Sequence, residues 1–214
     1  SNGFAIITAQ KFGAKNIADM KKSFAMSLVI GTGISILFTI AGLLFLKPIL
    51  HFLNVPKHLV PVAKGYITII IAGLLATFLY DACAATLRAI GDAVTPLIIL
   101  AISVALNIVG DLFFVVVLKT GVKGAAIATV LAQIIAFVIC WIYMIRKYEI
   151  LRLQKEDFKD PSPIMVKEMI SAGMSMGFMS SLVNIGTLTL QTAINKLGKD
   201  IIIANKAMYN IYGK

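Results

Sequence analysis

Charge is what this sequence has least of. Ten acidic and twenty basic residues make up only 14% of the 214 positions, where a water-soluble domain carries about a quarter. That shortage excludes an ordinary soluble fold, and the mean hydropathy of +0.91 points to lipid as the solvent. Cysteine is scarce too. Cys83 and Cys140 are distant in sequence and both lie in apolar runs, so they make neither a CxxC pair nor a metal site and read as small packing residues. His51 and His58 share a loop without carboxylate neighbours, which argues against a metal centre there. His-Glu-x-x-His, Gly-x-Ser-x-Gly and phosphate-loop motifs are missing, so enzyme chemistry has no candidate residues and no cofactor is expected. A net charge of +10 would suggest nucleic acid in a soluble chain. Here the cations fall in short loops between apolar runs, and no nucleic-acid partner is expected.

Long uncharged runs are what the chain does have. Residues 23–46, 124–145 and 169–195 each carry no charge and reach the length of about 20 residues needed to cross the hydrocarbon core. Residues 65–87 are interrupted only by Asp81, and residues 93–118 only by Asp111. Residues 1–10 read as the tail of an earlier span, and 11–22 as a polar loop with four lysines. The expected fold is therefore all-α, a polytopic membrane helix bundle, whose solvent is the lipid bilayer. The chain begins without Met and stops inside another apolar stretch, which reads as a piece of a longer protein. Loops 11–22, 88–95 and 146–167 hold eleven Lys/Arg against seven in loops 47–64, 119–123 and 196–199, which places the first set on the cytoplasmic side.

Asp111 stands out. An acid in the middle of a lipid-spanning helix costs about 2.5–3.5 kcal/mol on insertion scales. Ser103, Asn107 and Asp111 are spaced four apart, so they share one helix face. That face must look into protein or a water-filled cavity rather than into lipid. Asp111 lies about 12 Å from the end of its helix and Thr129 about 9 Å along the next one, at 1.5 Å per residue. A tight hairpin therefore sets Asp111, Asn107 and Thr129 at similar depth. Carboxylate, amide and hydroxyl oxygens suit a hard monovalent cation, or a proton held by the acid alone. A structural hydrogen bond to Asp111 is the competing explanation. Asp81 sits two helical turns from Arg88, near one end of its span, where local pairing or interface exposure accounts for it.

Other features read as packing. Gly124, Ala128, Ala132 and Ala136 form a small-residue stripe that lets helices approach closely, with Thr129 and Gln133 one residue round the helix. At 88–96, Gly91-Asp92 supplies a turn, Thr95 can cap the next helix and Pro96 fits its first position. The span 169–195 carries a polar stripe through Ser181, Asn184, Thr187, Gln191 and Asn195, serving either as hydrogen-bonding glue or as a cavity wall. Its methionines read as filler more than as an adaptable binding surface.

Five stretches in series carry a family resemblance: TAQKFGAKN at 8–16, LRAIGDAVTP at 87–96, LNIVGD at 106–111, GVKGAAIATVLAQ at 121–133 and LGKDIIIANKAMYNI at 197–211. In order and spacing the chain resembles a multidrug and toxic compound extrusion (MATE) transporter. The resemblance implies a two-lobe, twelve-helix antiporter of the cell membrane, probed here from the end of helix 2 to the start of helix 8. On that alignment 1–146 belongs to the first lobe, 147–163 is the cytoplasmic lobe linker, and 164–214 starts the second lobe. The family's sodium or proton site maps onto Asp111, Asn107 and Thr129, with Ser103, Gln133, Asn184 and Gln191 as candidate cavity-lining residues. The function implied is Na⁺- or H⁺-coupled export of small cationic amphipathic compounds by a monomer. A lipid-linked saccharide flippase of the same superfamily is the alternative, but a pyrophosphate cargo calls for basic cavity residues that these spans lack. A membrane-embedded enzyme is the rival from another class.

Overall fold

A computed structural model describes residues 2–52, 56, 58–159 and 162–196. Among the described residues all regular structure is helical: α1 (Asn2–Gly13), α2 (Ile17–Phe52), α3 (Val60–Ala72), α4 (Leu74–Ala89), α5 (Val94–Asp111), α6 (Val122–Lys147) and α7 (Pro163–Lys196). A π-helical turn, Leu112–Val117, extends α5, and two 3₁₀ turns, Glu149–Leu151 and Lys155–Phe158, follow α6. Four stretches are long and apolar enough to cross a membrane: Ile17–His51, Val60–Ala89, Val94–Val117 and Val122–Lys147. The fifth expected span lies within α7, which is long enough but falls outside that set. Its serines, glycines and Asn184 dilute the apolar run. Residues 197–211, the last stretch of the resemblance, lie outside the described residues.

The chain divides into two compact units, Ser1–Ala172 and Gly173–Lys214. The first holds two cores. In the larger, Met20 and Phe24 of α2 meet Tyr80, Cys83 and Leu87 of α4, Ile99 of α5, and Ala136, Cys140 and Met144 of α6. Leu151, in the segment expected to be a polar linker, is fully buried in the same core. In the smaller, Phe4 and Ile7 of α1 pack with Met26, Met165 and Met169, so two of the methionines are filler. Cys83 and Cys140 are both free and buried, in the same core between α4 and α6.

The loop expected at 11–22 is largely helical. Lys15 takes a left-handed φ of 58° after α1, and Asn16 starts α2 by a reciprocal cap. Its Oδ1 accepts the Asp19 N–H at 3.1 Å, while its Nδ2 donates to Asp19 Oδ2 at 2.9 Å. The buried hydroxyls of Ser23 and Thr8 share a hydrogen bond at 3.1 Å that joins α2 to α1.

The stripe on α6 is buried throughout: Gly124, Ala128, Ala132 and Ala136, continued at the same spacing by Cys140 and Met144. Small residues let the backbones close up. A Cβ placed on Gly110 of α5 would lie 2.9 Å from Ala128 Cβ, and one on Gly73 would lie 2.4 Å from Val130 Cγ2. Gly73 is also where the Val60–Ala89 span breaks into α3 and α4, and Thr39 of α2 donates to the Ile71 carbonyl beside the break at 3.2 Å. A helix break in lipid persists only where neighbours satisfy the freed backbone groups, and Thr39 supplies such a partner.

Val130 is β-branched and stiff, so crowding at Gly73 cannot be relieved by a rotamer change. Gly73→Val is expected to destabilise the full-length protein by about 1–3 kcal/mol, read as a lowered midpoint of thermal unfolding in neutral detergent.

Candidate functional site

The site is built where α5 and α6 lie closest. Ser103 is buried and donates to the Ala132 carbonyl at 3.2 Å. One turn on, Asn107 Nδ2 donates to Thr129 Oγ1 at 3.1 Å, and that hydroxyl donates to the Ala125 carbonyl at 3.0 Å. Asp111 follows one turn later, and its Oδ1 is buried without a hydrogen-bond partner among the described residues. Ser103 and Asn107 thus face α6, as the spacing of four requires, and the hairpin brings Asn107 and Thr129 to the same depth.

The arrangement leaves acceptors over. Thr129 spends its one proton on Ala125 and takes one from Asn107, whose amide carbonyl stays free to accept. Asp111 offers a carboxyl oxygen shielded from water. The ion pairs among the described residues are Lys11–Asp19, Lys147–Asp92 and Arg152–Glu149, so no basic side chain neutralises it. A buried polar group left unpaired costs about 1–3 kcal/mol, and a charged one more. Such exceptions in a native fold call for a reason. Gln133 Oε1, one turn beyond Thr129 on α6, is likewise buried and unpartnered.

The backbone changes character at this point. The α-helix gives way to the π turn immediately after Asp111, where a continuous helix to Leu118 was expected. Phe113, Phe114 and three successive valines are poor helix formers, and π turns concentrate at functional positions. Thr120 closes the turn by donating through Oγ1 to the Phe114 carbonyl at 2.6 Å, and Gly121, at φ 63°, starts the return into α6.

Other expected residues lie elsewhere. Asn184 is exposed on α7 in the second unit. The stripe's hydroxyls bond back within that helix, Ser181 to Gly177 and Thr187 to Val183, each at 2.9 Å. Gln191 and Asn195 lie outside the residues whose side chains are described. Asp81 is half-buried, and no ion pair joins it to Arg88.

A second polar cluster was not foreseen. At the α4–α5 turn, Asp92 accepts from the Thr95 N–H at 3.1 Å and from the Thr95 hydroxyl at 2.9 Å. The cap of α5 is therefore the Asp92 carboxylate, with Thr95 and Pro96 already inside the helix, because an anion at a helix N-terminus outbids a hydroxyl. Tyr148 donates to the same carboxylate at 2.8 Å and Tyr143 at 3.4 Å, while Lys147 stands 3.8 Å away and bonds the Tyr143 hydroxyl. Burial acts to raise the Asp92 pKa, but the Tyr148 and Thr95 hydrogen bonds and the Lys147 charge together hold it below the ordinary carboxylate value. The signal available in sequence was that loops 88–95 and 146–167 fall on the same membrane side.

The family model MatE matches residues 1–113, more than half of the chain. The chain belongs to the MatE family. It is similar to the probable multidrug resistance protein YpnP of Bacillus subtilis (strain 168), with 31% identity over 94% of the chain and 45% of that relative. The fold matches a MATE crystal structure in the bent conformation, with a TM-score of 0.86 and 21% identity over 98% of this chain and 47% of that one. It also matches an outward-facing MATE transporter of the MOP superfamily, with a TM-score of 0.83 and 22% identity over 90% and 43% of the two chains. The MatE chain thus spans about half the length of the relatives it matches. With four membrane-length apolar helices it is a multi-pass membrane chain, and the family is one of transporters, not enzymes.

Asp92 generates a pH prediction. Its pKa is depressed in the fold, so the stability it contributes is present above the ordinary value of about 3.9 and is lost as pH falls through the lower folded value. Asp92→Asn is expected to lower stability at pH 7 by about 1–2 kcal/mol and to flatten the loss of stability below about pH 4, measured by thermal unfolding of the full-length protein from pH 7 to 3.

Proposed function

We propose that this chain forms part of the first lobe and the start of the second lobe of a cation-coupled exporter of small, cationic amphipathic compounds, acting as a monomer in the cell membrane. Asp111, Asn107 and Thr129 hold the coupling Na⁺ or H⁺. The observation that carries the reading is the buried Asp111 Oδ1, which meets no donor and no basic side chain among the described residues while the Asn107–Thr129 pair presents further oxygens beside it. A fixed structural role would close that oxygen with a hydrogen bond. A role in coupling requires it to stay open for a partner that arrives and leaves.

The mechanism follows from linkage. An ion shifts the outward-open against the inward-open state only by its difference in affinity for the two. The α5–α6 contact is close-packed at Gly110 and Ala128, and the π turn sits at the acid itself. An ion drawing the Asp111 carboxyl and the Asn107 and Thr129 oxygens together would act on that contact directly. Ser103 and Gln133 lie on the same two helices as the ion site. The names of the curated relatives support multidrug cargo for the full-length protein.

Asp111→Asn in the full-length transporter is expected to abolish ion-driven efflux from cells while leaving thermal stability equal or higher, because an amide removes the buried charge. Efflux that persists undiminished contradicts the assignment. A variant that loses efflux together with about 2 kcal/mol or more of stability would instead make Asp111 structural.

A further inference from the structure

On the side of α6 away from its buried stripe, near its C-terminal end, lies an open groove of about 490 Å³ lined by Ile139, Ile142, Tyr143, Arg146 and Lys147. Ile139 and Ile142 are 36% and 42% exposed, so the groove has an apolar floor. Its polar end stands where a membrane-length helix, Val122–Lys147, finishes, which is the level of lipid headgroups. The two cations there are not equivalent. Lys147 is committed to Asp92 and to Tyr143, with its ammonium 4.9 Å from the Tyr143 ring centre. Arg146 is exposed and makes no hydrogen bond or ion pair with any described residue, and the nearby acid Glu149 pairs with Arg152 at 3.6 Å. An uncompensated guanidinium above an exposed aliphatic floor, flanked by an amphipathic tyrosine, is complementary to one class of molecule.

We propose that this groove binds one anionic phospholipid, its phosphate on the Arg146 guanidinium and its acyl chain along Ile142 and Ile139. The planar fork of arginine suits a phosphate in a way that an ammonium does not. The site is distinct from the ion site on α5 and stands whether or not the transport reading holds. Because Tyr143 and Lys147 belong both to the groove and to the Asp92 cluster, a bound lipid also braces the junction of α6 with the α4–α5 turn.

The test uses the full-length protein in neutral detergent, titrated with phosphatidylglycerol or with phosphatidylcholine, with lipid retention read by native mass spectrometry and Tm by thermal unfolding. One phosphatidylglycerol is expected to be retained in preference to phosphatidylcholine and to raise Tm. Arg146→Gln should lose about fivefold in apparent affinity, the usual contribution of one basic residue at an anionic surface, with its Tm in phosphatidylcholine unchanged. Arg146→Lys should lose less. Inorganic phosphate at the same concentration should neither raise Tm nor displace the lipid. Equal retention of the two lipids, an unaltered affinity in Arg146→Gln, or displacement by inorganic phosphate alone would each overturn the proposal.

Discussion

An acid held within an apolar helix pair, with one oxygen sealed from water and unpartnered among the described residues, is the constraint on which the rest depends. Lipid can neither hydrate that oxygen nor donate to it. Every feature around Asp111 bears on that problem. Ser103 and Asn107 turn the same face of α5 onto α6, and Thr129 gives its one proton to the Ala125 carbonyl while accepting from Asn107.

Close packing makes such a site possible in a thin stack of helices. Glycine and alanine bring α5, α6 and the α3–α4 span near enough for short polar side chains to reach one another. The same closeness fixes where the helices depart from regularity. Gly73 breaks its span against Val130, with Thr39 tending the freed carbonyl, and the π turn opens immediately after the acid. Two irregularities inside four membrane-length helices lie on the elements packed against the site. At the other end of α6, Asp92 gathers Thr95, Tyr143, Lys147 and Tyr148, tying three consecutive segments at one membrane face.

Much of this was legible from residue order, because lipid imposes simple rules. Uncharged length marks the spans, a period of four places Ser103, Asn107 and Asp111 on one face, and a short turn sets the depth at which Asn107 meets Thr129. The alanine stripe followed from the same period. What stayed hidden depends on partners distant in sequence or on backbone detail that hydropathy averages away. The break at Gly73 and the π turn leave mean hydropathy untouched. Asp92 read as a turn residue and Thr95 as the cap, and the partners that gather on Asp92, Tyr143 and Tyr148, lie some fifty residues on. Helical spacing paired Asp81 with Arg88 on paper, but the fold forms no such ion pair, and Cys83 and Cys140 meet only because α4 packs along α6.

The central claim is that the Asp111 carboxyl exchanges partners rather than holding one. Isotope-edited infrared difference spectroscopy of the full-length protein, with Asp111 assigned by its loss in the Asn variant, observes that group itself. The account predicts that its carbonyl or carboxylate band shifts when Na⁺ is added or when pH is cycled across the working range, and that the shift is saturable. A band indifferent to both, fixed in one ionisation state throughout, would contradict it.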